Sequence, residues 1–133
     1  MLVIPYKLYH VMLSQMEAVY PFEGCGLLAG QGRQVTHLYA MHNQLLSQVA
    51  YDMAPHELLA AWEDMEREGQ EWLAVYHSHP HGPEVPSPTD IRLAVGPEVV
   101  YIIIAGERRN APTMRGFIIR GAQVSEVLLI FRQ

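Results

Sequence analysis

The sequence is poor in cysteine and in positive charge. Cys25 is the one cysteine among 133 residues, which excludes an internal disulfide and a zinc site made of cysteine alone. Nine lysine and arginine residues stand against fourteen aspartate and glutamate residues, a formal net charge of -5. The densest basic cluster is Arg108-Arg109 with Arg115 nearby. This is too little for a phosphate-binding surface, so nucleic acid is not an expected partner.

A long hydrophobic segment is also lacking. The strongest apolar run, residues 99–105, is far shorter than a membrane span requires, and the first residues do not have the pattern of a secretory signal. We therefore expect a cytoplasmic protein without membrane contact. With 50% hydrophobic and 17% charged residues the composition is globular, and the length predicts one domain over residues 1–133.

Residue spacing predicts a mixed fold of the α/β (α+β) class. Helical periodicity covers residues 7–20, 55–68 and, for a short helix, 88–95. Strand patterns cover residues 26–30, 34–40, 71–76, 99–105, 117–120 and 124–131, whereas residues 41–53 show no clear period. This order of elements predicts a mixed β-sheet flanked by helices.

The stretch HSHPHGPEVPSPTD, residues 77–90, combines histidines with a carboxylate. Residues two apart in a strand share a face, so His77 and His79 point the same way. Pro80 ends the strand, and the loop that follows is long enough to bring Asp90, in the next helix, back over the same place. Two histidines, one carboxylate and an open fourth position are the ligand set of a catalytic zinc site.

The same residues also have an ordinary structural interpretation. Ser87-x-x-Asp90 is close to a capping box, and Pro88 is a common first-turn residue, so this tetrapeptide alone predicts only the start of a helix. A His-x-His pair alone is usually two exposed residues that bind no metal. The capping and ligand roles are compatible, because a helix start positions whatever side chains it carries.

The complete pattern is His77-Ser78-His79-Pro80, six residues, then Ser87-Pro88-Thr89-Asp90. It resembles the signature of the JAMM, or MPN-plus, zinc metalloproteases. Upstream, residues 22–30, FEGCGLLAG, resemble the segment in which that family carries a glutamate followed by a short strand. The resemblance extends over essentially the whole chain. It implies the JAMM/MPN fold, whose architecture is similar to that of the cytidine deaminases.

The resemblance also implies the role of each motif residue. His77, His79 and Asp90 would bind one Zn²⁺ per chain, Glu23 would be the catalytic acid/base, and Ser87 would donate a hydrogen bond to the oxyanion. The implied activity is that of a zinc metallopeptidase that hydrolyses peptide or isopeptide bonds.

The chain is most similar to the small, stand-alone prokaryotic members of that family, because only 53 residues separate Glu23 from His77. Some of those members process the C-terminus of ubiquitin-like sulfur-carrier proteins, which makes such a carrier the expected protein substrate. A glycine-glycine tail suits a narrow cleft because it has no side chains to clash. A homodimer is left open, since the sequence does not determine the oligomeric state.

Three other functions were weighed against this hypothesis. A non-catalytic MPN scaffold that only binds partners remains the alternative, although such relatives typically lack the zinc ligands. A zinc deaminase needs a Cys-x-x-Cys pair, which one cysteine cannot supply. A RadC-like protein shares the histidine and Ser-x-x-Asp pattern, but its usual asparagine between the histidines and its N-terminal helical region are missing here.

Several residues near the motif have simpler expected roles. Cys25 is expected to pack in the core, and His81 to lie exposed in a loop. Asn43 is predicted to order a loop near the site. No role is assigned to His10, His37, His42 or His56.

Overall fold

The computed structural model describes residues 1–106 and 110–133, so the Arg108-Arg109 pair lies outside the described residues. Within them, no helix is both long and apolar enough to cross a membrane. The elements follow one another as β1 (Leu2–Pro5), α1 (Tyr6–Val19), β2 (Cys25–Gln31), β3 (Gln34–Met41), α2 (Pro55–Arg67), β4 (Glu71–His79), α3 (Pro88–Arg92), β5 (Val100–Ala105), β6 (Thr113–Arg120), β7 (Gln123–Val127) and β8 (Leu129–Arg132).

All eight strands belong to one mixed sheet in the order β7-β6-β5-β4-β2-β3-β1-β8. Strand β4 lies in its middle, antiparallel to β2 and parallel to β5. The predicted mixed sheet is therefore confirmed. All six residues of β5 are buried, as an uninterrupted apolar run predicts for a strand covered on both faces.

Helices cover both faces of this sheet. Met12 of α1 packs on the first face in a cluster with Leu28, Tyr76 and other strand residues. On the second face, Met65 of α2 packs in a cluster that includes Val75, together with residues near α3. Each large side chain buried in this way contributes about 1.5–3 kcal/mol to folding. The two faces of β4 thus have different neighbours, which decides where its histidines point.

The structure differs from the predicted elements at both ends of the chain. Strand β1 was not predicted, since Pro5 follows only four apolar residues and the helical pattern begins at once. The segment 124–131, expected as one strand, divides at Leu128 into β7 and β8. Strand β8 pairs with β1 while β7 pairs with β6, so a single residue joins the two edges of the sheet, which is curled upon itself.

Helix α3 is also shorter than predicted and ends at Arg92. The backbone N–H of Val95 donates to the hydroxyl of Tyr101 at 2.6 Å. This contact draws residues 93–95 toward β5 instead of continuing the helix. The first residues of α3, which carry the motif, start where the sequence predicts.

Candidate active site

The site lies at the C-terminal end of β4, on the sheet face that α2 and α3 cover. His77 and His79 project to this face along with Val75, and both are buried, with 0% and 5% of their surfaces exposed. Ser78 projects to the opposite face. Because β2 is antiparallel to β4, with Cys25 opposite His77, the residues just before β2 come to lie beside the histidines.

Ser78 fixes the segment that carries Glu23, a role that the sequence analysis missed. Its hydroxyl accepts the backbone N–H of Gly24 at 2.8 Å, and its own N–H donates to the Gly24 carbonyl at 3.0 Å. A Cβ at Gly24 would lie 2.7 Å from the terminal methyl group of Met16, so any other residue there would displace the Met16 side chain. Glu23 is thereby held beside the end of β4, with 3% of its surface exposed.

Asp90 reaches the site through the helix start that the sequence predicts. Ser87 caps α3: its hydroxyl accepts the N–H of Asp90 at 3.0 Å, and its N–H donates to Asp90 Oδ2 at 2.8 Å. This is a complete capping box. The same Oδ2 atom lies 3.2 Å from His77 Nε2 and 3.1 Å from His79 Nε2. The capping interpretation is therefore confirmed, and the same carboxylate lies beside both histidines, whereas metal binding by Asp90 stays a prediction.

The donor atoms have the spacing of ligands that share one metal ion. The two histidine Nε2 atoms are 3.1 Å apart, so the three edges of the triangle with Asp90 Oδ2 are 3.1–3.2 Å. Tetrahedral zinc with bonds of about 2.0–2.1 Å places its ligands about 3.3 Å apart. Glu23 also offers an oxygen within 4.8 Å of the histidine donors. The residues present thus fit a zinc ion.

The hydrogen bond of His79 also suits metal binding. Its Nδ1 lies 2.8 Å from the carbonyl of Pro83, which can only accept, so Nδ1 carries the proton and Nε2 of the neutral ring is left with a free lone pair. The His77 ring stacks on Tyr51, with centroids 4.5 Å apart, and its buried Nδ1 has no hydrogen-bond partner among the described residues. Both imidazoles are therefore held with Nε2 toward Asp90.

Burial gives these groups unusual proton affinities. It raises the pKa of Glu23 to about 7, against a smaller lowering by His79. Burial also lowers the pKa of His77. Burial opposes ionisation of Asp90 too, but its hydrogen bonds to the two histidines hold the pKa of Asp90 well below its usual range. The pKa of His79 is raised: burial opposes its charge, but the hydrogen bonds to Asp90 and Pro83 and the charges of Asp90 and Glu23 together outweigh burial.

Asn43 organises the loop between β3 and α2, as the sequence analysis predicts. Its amide donates to the carbonyls of Glu23 and Ala50, both at 3.0 Å, and its Oδ1 accepts the N–H groups of Leu45 and Asp52, both at 3.1 Å. Residue 43 also forms a β-bridge to residue 53. Asn43 is thus the hub that joins this loop to the backbone of the proposed acid/base residue.

The remaining predictions near the motif are confirmed. Cys25 is fully buried, and burial raises the pKa of its thiol to about 12. His81 is exposed and lies 3.0 Å from the side chain of Gln48. The structure brings Glu23, His77, His79, Ser87 and Asp90 together, whereas their chemical roles stay predictions.

With this geometry in place, comparison with known proteins identifies the family. Residues 5–118 match the model of the prokaryotic homologues of the JAB domain. The chain belongs to this family. Related enzymes in it are named as peptidases, and the chain is a hydrolase of the JAMM type.

Two curated relatives illustrate the similarity. The CysO-cysteine peptidase of Mycobacterium tuberculosis is 30% identical over 136 aligned residues, which cover 99% of this chain and 92% of that protein. A protein of Thermus thermophilus, named "Probable TtuB-protein conjugate cleaving protease", is 40% identical over 111 residues, covering 82% of this chain and 70% of that one. Both names describe enzymes that act on proteins.

Solved structures share the fold. A protein from Desulfitobacterium hafniense, determined in solution, has a TM-score of 0.91 and 34% identity, covering 100% of this chain and 94% of its own. A second structure, described as JAMM, a metalloprotease-like zinc site in the proteasome and signalosome, has a TM-score of 0.64 and 19% identity, covering 100% of this chain and 99% of its own. The JAMM/MPN fold expected from the motif is thus confirmed.

Proposed function

We propose that this protein is a zinc-dependent peptidase or isopeptidase that cleaves at the C-terminus of a ubiquitin-like sulfur-carrier protein in the cytoplasm. The observation that carries the proposal is the triangle of His77 Nε2, His79 Nε2 and Asp90 Oδ2, with edges of 3.1–3.2 Å. A buried glutamate, Glu23, lies within reach of the same point. This is the donor set of an open, catalytic zinc site.

In this proposal His77, His79 and Asp90 hold one zinc ion. When bound there, zinc supplies Lewis-acid chemistry that polarises a carbonyl and acidifies water near neutral pH. The chain prepares the site by keeping the His79 proton away from the metal position, because the carbonyl of Pro83 accepts the Nδ1–H. The capping bond from the Ser87 N–H to Asp90 Oδ2, 2.8 Å long, holds the carboxylate in place.

Glu23 is proposed to move the proton. Its carboxylate would take a proton from the attacking water and deliver it to the nitrogen of the departing amine. Burial raises the pKa of Glu23 to about 7, and a group that titrates near the working pH can both accept and release a proton. The backbone of Glu23 is fixed on two sides, by Asn43 at its carbonyl and by Ser47 at its N–H.

Ser87 is proposed to stabilise the oxyanion. Its hydroxyl oxygen accepts one hydrogen bond, from the Asp90 N–H at 3.0 Å. A serine hydroxyl has one proton to donate besides the lone pairs with which it accepts. The proton of Ser87 is therefore available to the carbonyl oxygen of the substrate as negative charge develops on it.

The choice of a carrier protein as substrate is supported by the relatives. The names of the two enzymes compared above specify CysO and TtuB conjugates. The segment from Glu23 to His77 contains only a hairpin, a loop and one helix, which leaves little chain for elaborate substrate-binding insertions. A glycine-glycine tail needs little width, because it brings no side chains.

The test compares three proteins purified without an affinity tag: the wild type, Asp90→Ala and Glu23→Gln. Zinc content is measured, and each protein is assayed on a ubiquitin-like carrier extended past its glycine-glycine tail. We expect about one zinc per chain in the wild type and in Glu23→Gln, a lower content in Asp90→Ala, and cleavage by the wild type alone.

The two variants separate the proposed roles. Full activity in Glu23→Gln would contradict its acid/base role, even with zinc present. A wild type that binds no zinc after reconstitution would contradict the whole catalytic proposal and favour the scaffold alternative.

A further inference from the structure

An apolar cavity of about 260 Å³ opens directly beside the proposed metal site. Asp90 forms part of its wall, and so does Tyr51, which stacks on His77. The other walls come from α2, from β4 and β5, and from the loop after β3. One proposed metal ligand, Asp90, is thus part of the cavity wall, and a second, His77, contacts the wall residue Tyr51.

The mouth of the cavity is a collar of exposed apolar side chains. Val49 is 80% exposed, Leu93 66%, Val95 60% and Trp62 43%, and all four line the cavity although they come from three separate segments. Concentrated exposed apolar surface marks binding sites on soluble proteins. Pockets with aromatic walls of this kind take a single anchoring side chain of a partner.

The charges around the cavity restrict what it accepts. Among the described residues that line it, the charged side chains are Asp52 and Asp90, and none is cationic. The two carboxylates would repel an acidic side chain of a ligand, and none of these lining residues could pair with it as a cation. The volume lies just below the usual range of about 300–1,000 Å³ for small-molecule sites. It suits one large apolar side chain and not a folded element.

From these observations we infer that the cavity is a substrate subsite for a large apolar side chain on the amine side of the scissile bond. The inference rests on the proposed function. On the acyl side the carrier would end in two glycines, which have no side chains to place. Because the cavity begins at Asp90, beside the proposed metal position, the side chain nearest to it that the substrate can offer is that of the residue whose amine is released.

The first test uses zinc-loaded wild-type protein and three synthetic peptides that differ only in the residue after glycine-glycine: leucine, glycine or aspartate. We expect kcat/KM to fall in that order, with leucine ahead of glycine by at least about tenfold, mainly through KM, because an apolar side chain leaves water for an apolar wall. Equal kcat/KM for all three peptides would overturn the inference.

A second readout does not depend on turnover. The chain has two tryptophans, and both Trp62 and Trp72 lie in the cavity wall. Zinc-loaded Glu23→Gln is titrated with the leucine and the glycine peptides while tryptophan emission is recorded. Occupancy of the cavity by leucine changes the emission, and the glycine peptide at the same concentrations leaves it unchanged.

The two readouts separate the inference from the proposed function. If the wild type cleaves no peptide but the leucine peptide changes the emission, the peptidase proposal fails and the subsite stands. If both peptides are cleaved equally and the emission does not change, the subsite is refuted and the peptidase proposal stands.

A pair of surface variants locates the effect. Leu93→Asp places a charge at the mouth, whereas Leu59→Asp places the same charge at a site on α2 that is 56% exposed and is not part of the cavity lining. We expect the leucine-to-glycine ratio to shrink severalfold in Leu93→Asp and to persist in Leu59→Asp. Thermal unfolding of both confirms that they fold. Equal behaviour of the two variants would contradict the assignment to this cavity.

Discussion

The two faces of β4 are built differently, although they belong to one strand. Toward α1 the packing around Tyr76 is tight: a Cβ added at Gly26 would lie 2.2 Å from its ring, and the cavity beside Ser78 on this side measures only about 50 Å³. Toward α2 and α3 the strand presents His77 and His79 beside Glu23, and a cavity of about 260 Å³ lies next to them. The first face is closely packed, and the second carries the polar site residues next to a larger, mostly apolar cavity.

The difference separates stability from chemistry. Apolar side chains on the first face favour folding in proportion to the area they bury. The ionisable side chains on the second face oppose folding, because a buried charge must be paired or neutralised. The raised pKa of Glu23 and the unpartnered Nδ1 of His77 are marks of that cost. Since a strand alternates its side chains with a period of two, β4 supports both functions at adjacent residues.

The largest effect is expected from Ser87→Ala, at the site on the second face of β4. Loss of an oxyanion donor lowers kcat by about 10²–10³-fold, and loss of the helix cap lowers the free energy of unfolding by about 1 kcal/mol. Ser87→Thr keeps both the hydroxyl and the cap, so it should retain most of both. Steady-state kinetics and denaturant unfolding measure the two effects. Unchanged kcat in Ser87→Ala would leave Ser87 with its capping role alone.

Asn43→Ala should affect both quantities at once. It removes the bonds to the Glu23 and Ala50 carbonyls and to two backbone N–H groups. Buried groups left without partners cost about 1–3 kcal/mol of stability, and a displaced catalytic group can lower kcat by up to about 10²-fold.

Asn43→Asp is a second variant, which keeps the acceptor Oδ1 but puts a charged carboxylate oxygen in place of the amide donor, facing the carbonyls of Glu23 and Ala50. A fall in kcat with unchanged KM supports a positioning role through Glu23. Lower stability with unchanged kcat would restrict Asn43 to ordering the loop.

On the packed face, Gly26→Ala should change stability more than chemistry. The added methyl group meets the Tyr76 ring, and such overpacking typically costs about 1–3 kcal/mol. The zinc content of the folded protein should stay unchanged. A double-mutant cycle with Tyr76→Leu identifies the cause: the cost of Gly26→Ala should shrink when the ring is absent. An unchanged cost would place the strain in the backbone.

The smallest effect concerns Cys25, which lies on the second face. Burial raises the pKa of its thiol to about 12, and the reactive form of cysteine is the thiolate. At pH 8 the native protein should therefore react with iodoacetamide far more slowly than the denaturant-unfolded chain. The number of modified thiols is followed by mass spectrometry. Rapid modification of the native protein would show that this part of the second face opens readily.

Local patterns were enough to predict most of the fold. Helical spacing and proline positions located α1 and α2 within a residue or so. The β2–β3 hairpin was predicted with a turn at Gln31-Gly32, whereas the turn is Gly32-Arg33, because Gln31 pairs with Gln34. Strand β1 and the division at Leu128 could not be found in this way. Their pairing joins the two ends of the chain, and no local period records a partner so distant in sequence.

The same distinction between local patterns and distant contacts applies to the site. The motif residues were predicted because their spacing is fixed within two short segments. Three features were not predicted: the hydrogen bonds of Ser78 to Gly24, the stacking of Tyr51 on His77, and the cavity. Each depends on contacts between segments far apart in the sequence. The hydrogen-bonding network of Asn43 is intermediate: a loop asparagine suggests local ordering, but only the folded loop brings it to Glu23.

The pairing of β1 with β8 also bears on how the molecule is made. Leu2 pairs with Leu129, so β1 obtains this neighbour only after all the residues between them have been synthesised. Until then β1 has only its short contact with β3, Val3 opposite Gln34. Closing so long a loop delays folding. The nascent protein therefore carries an open sheet edge, which can recruit other chains until β8 arrives.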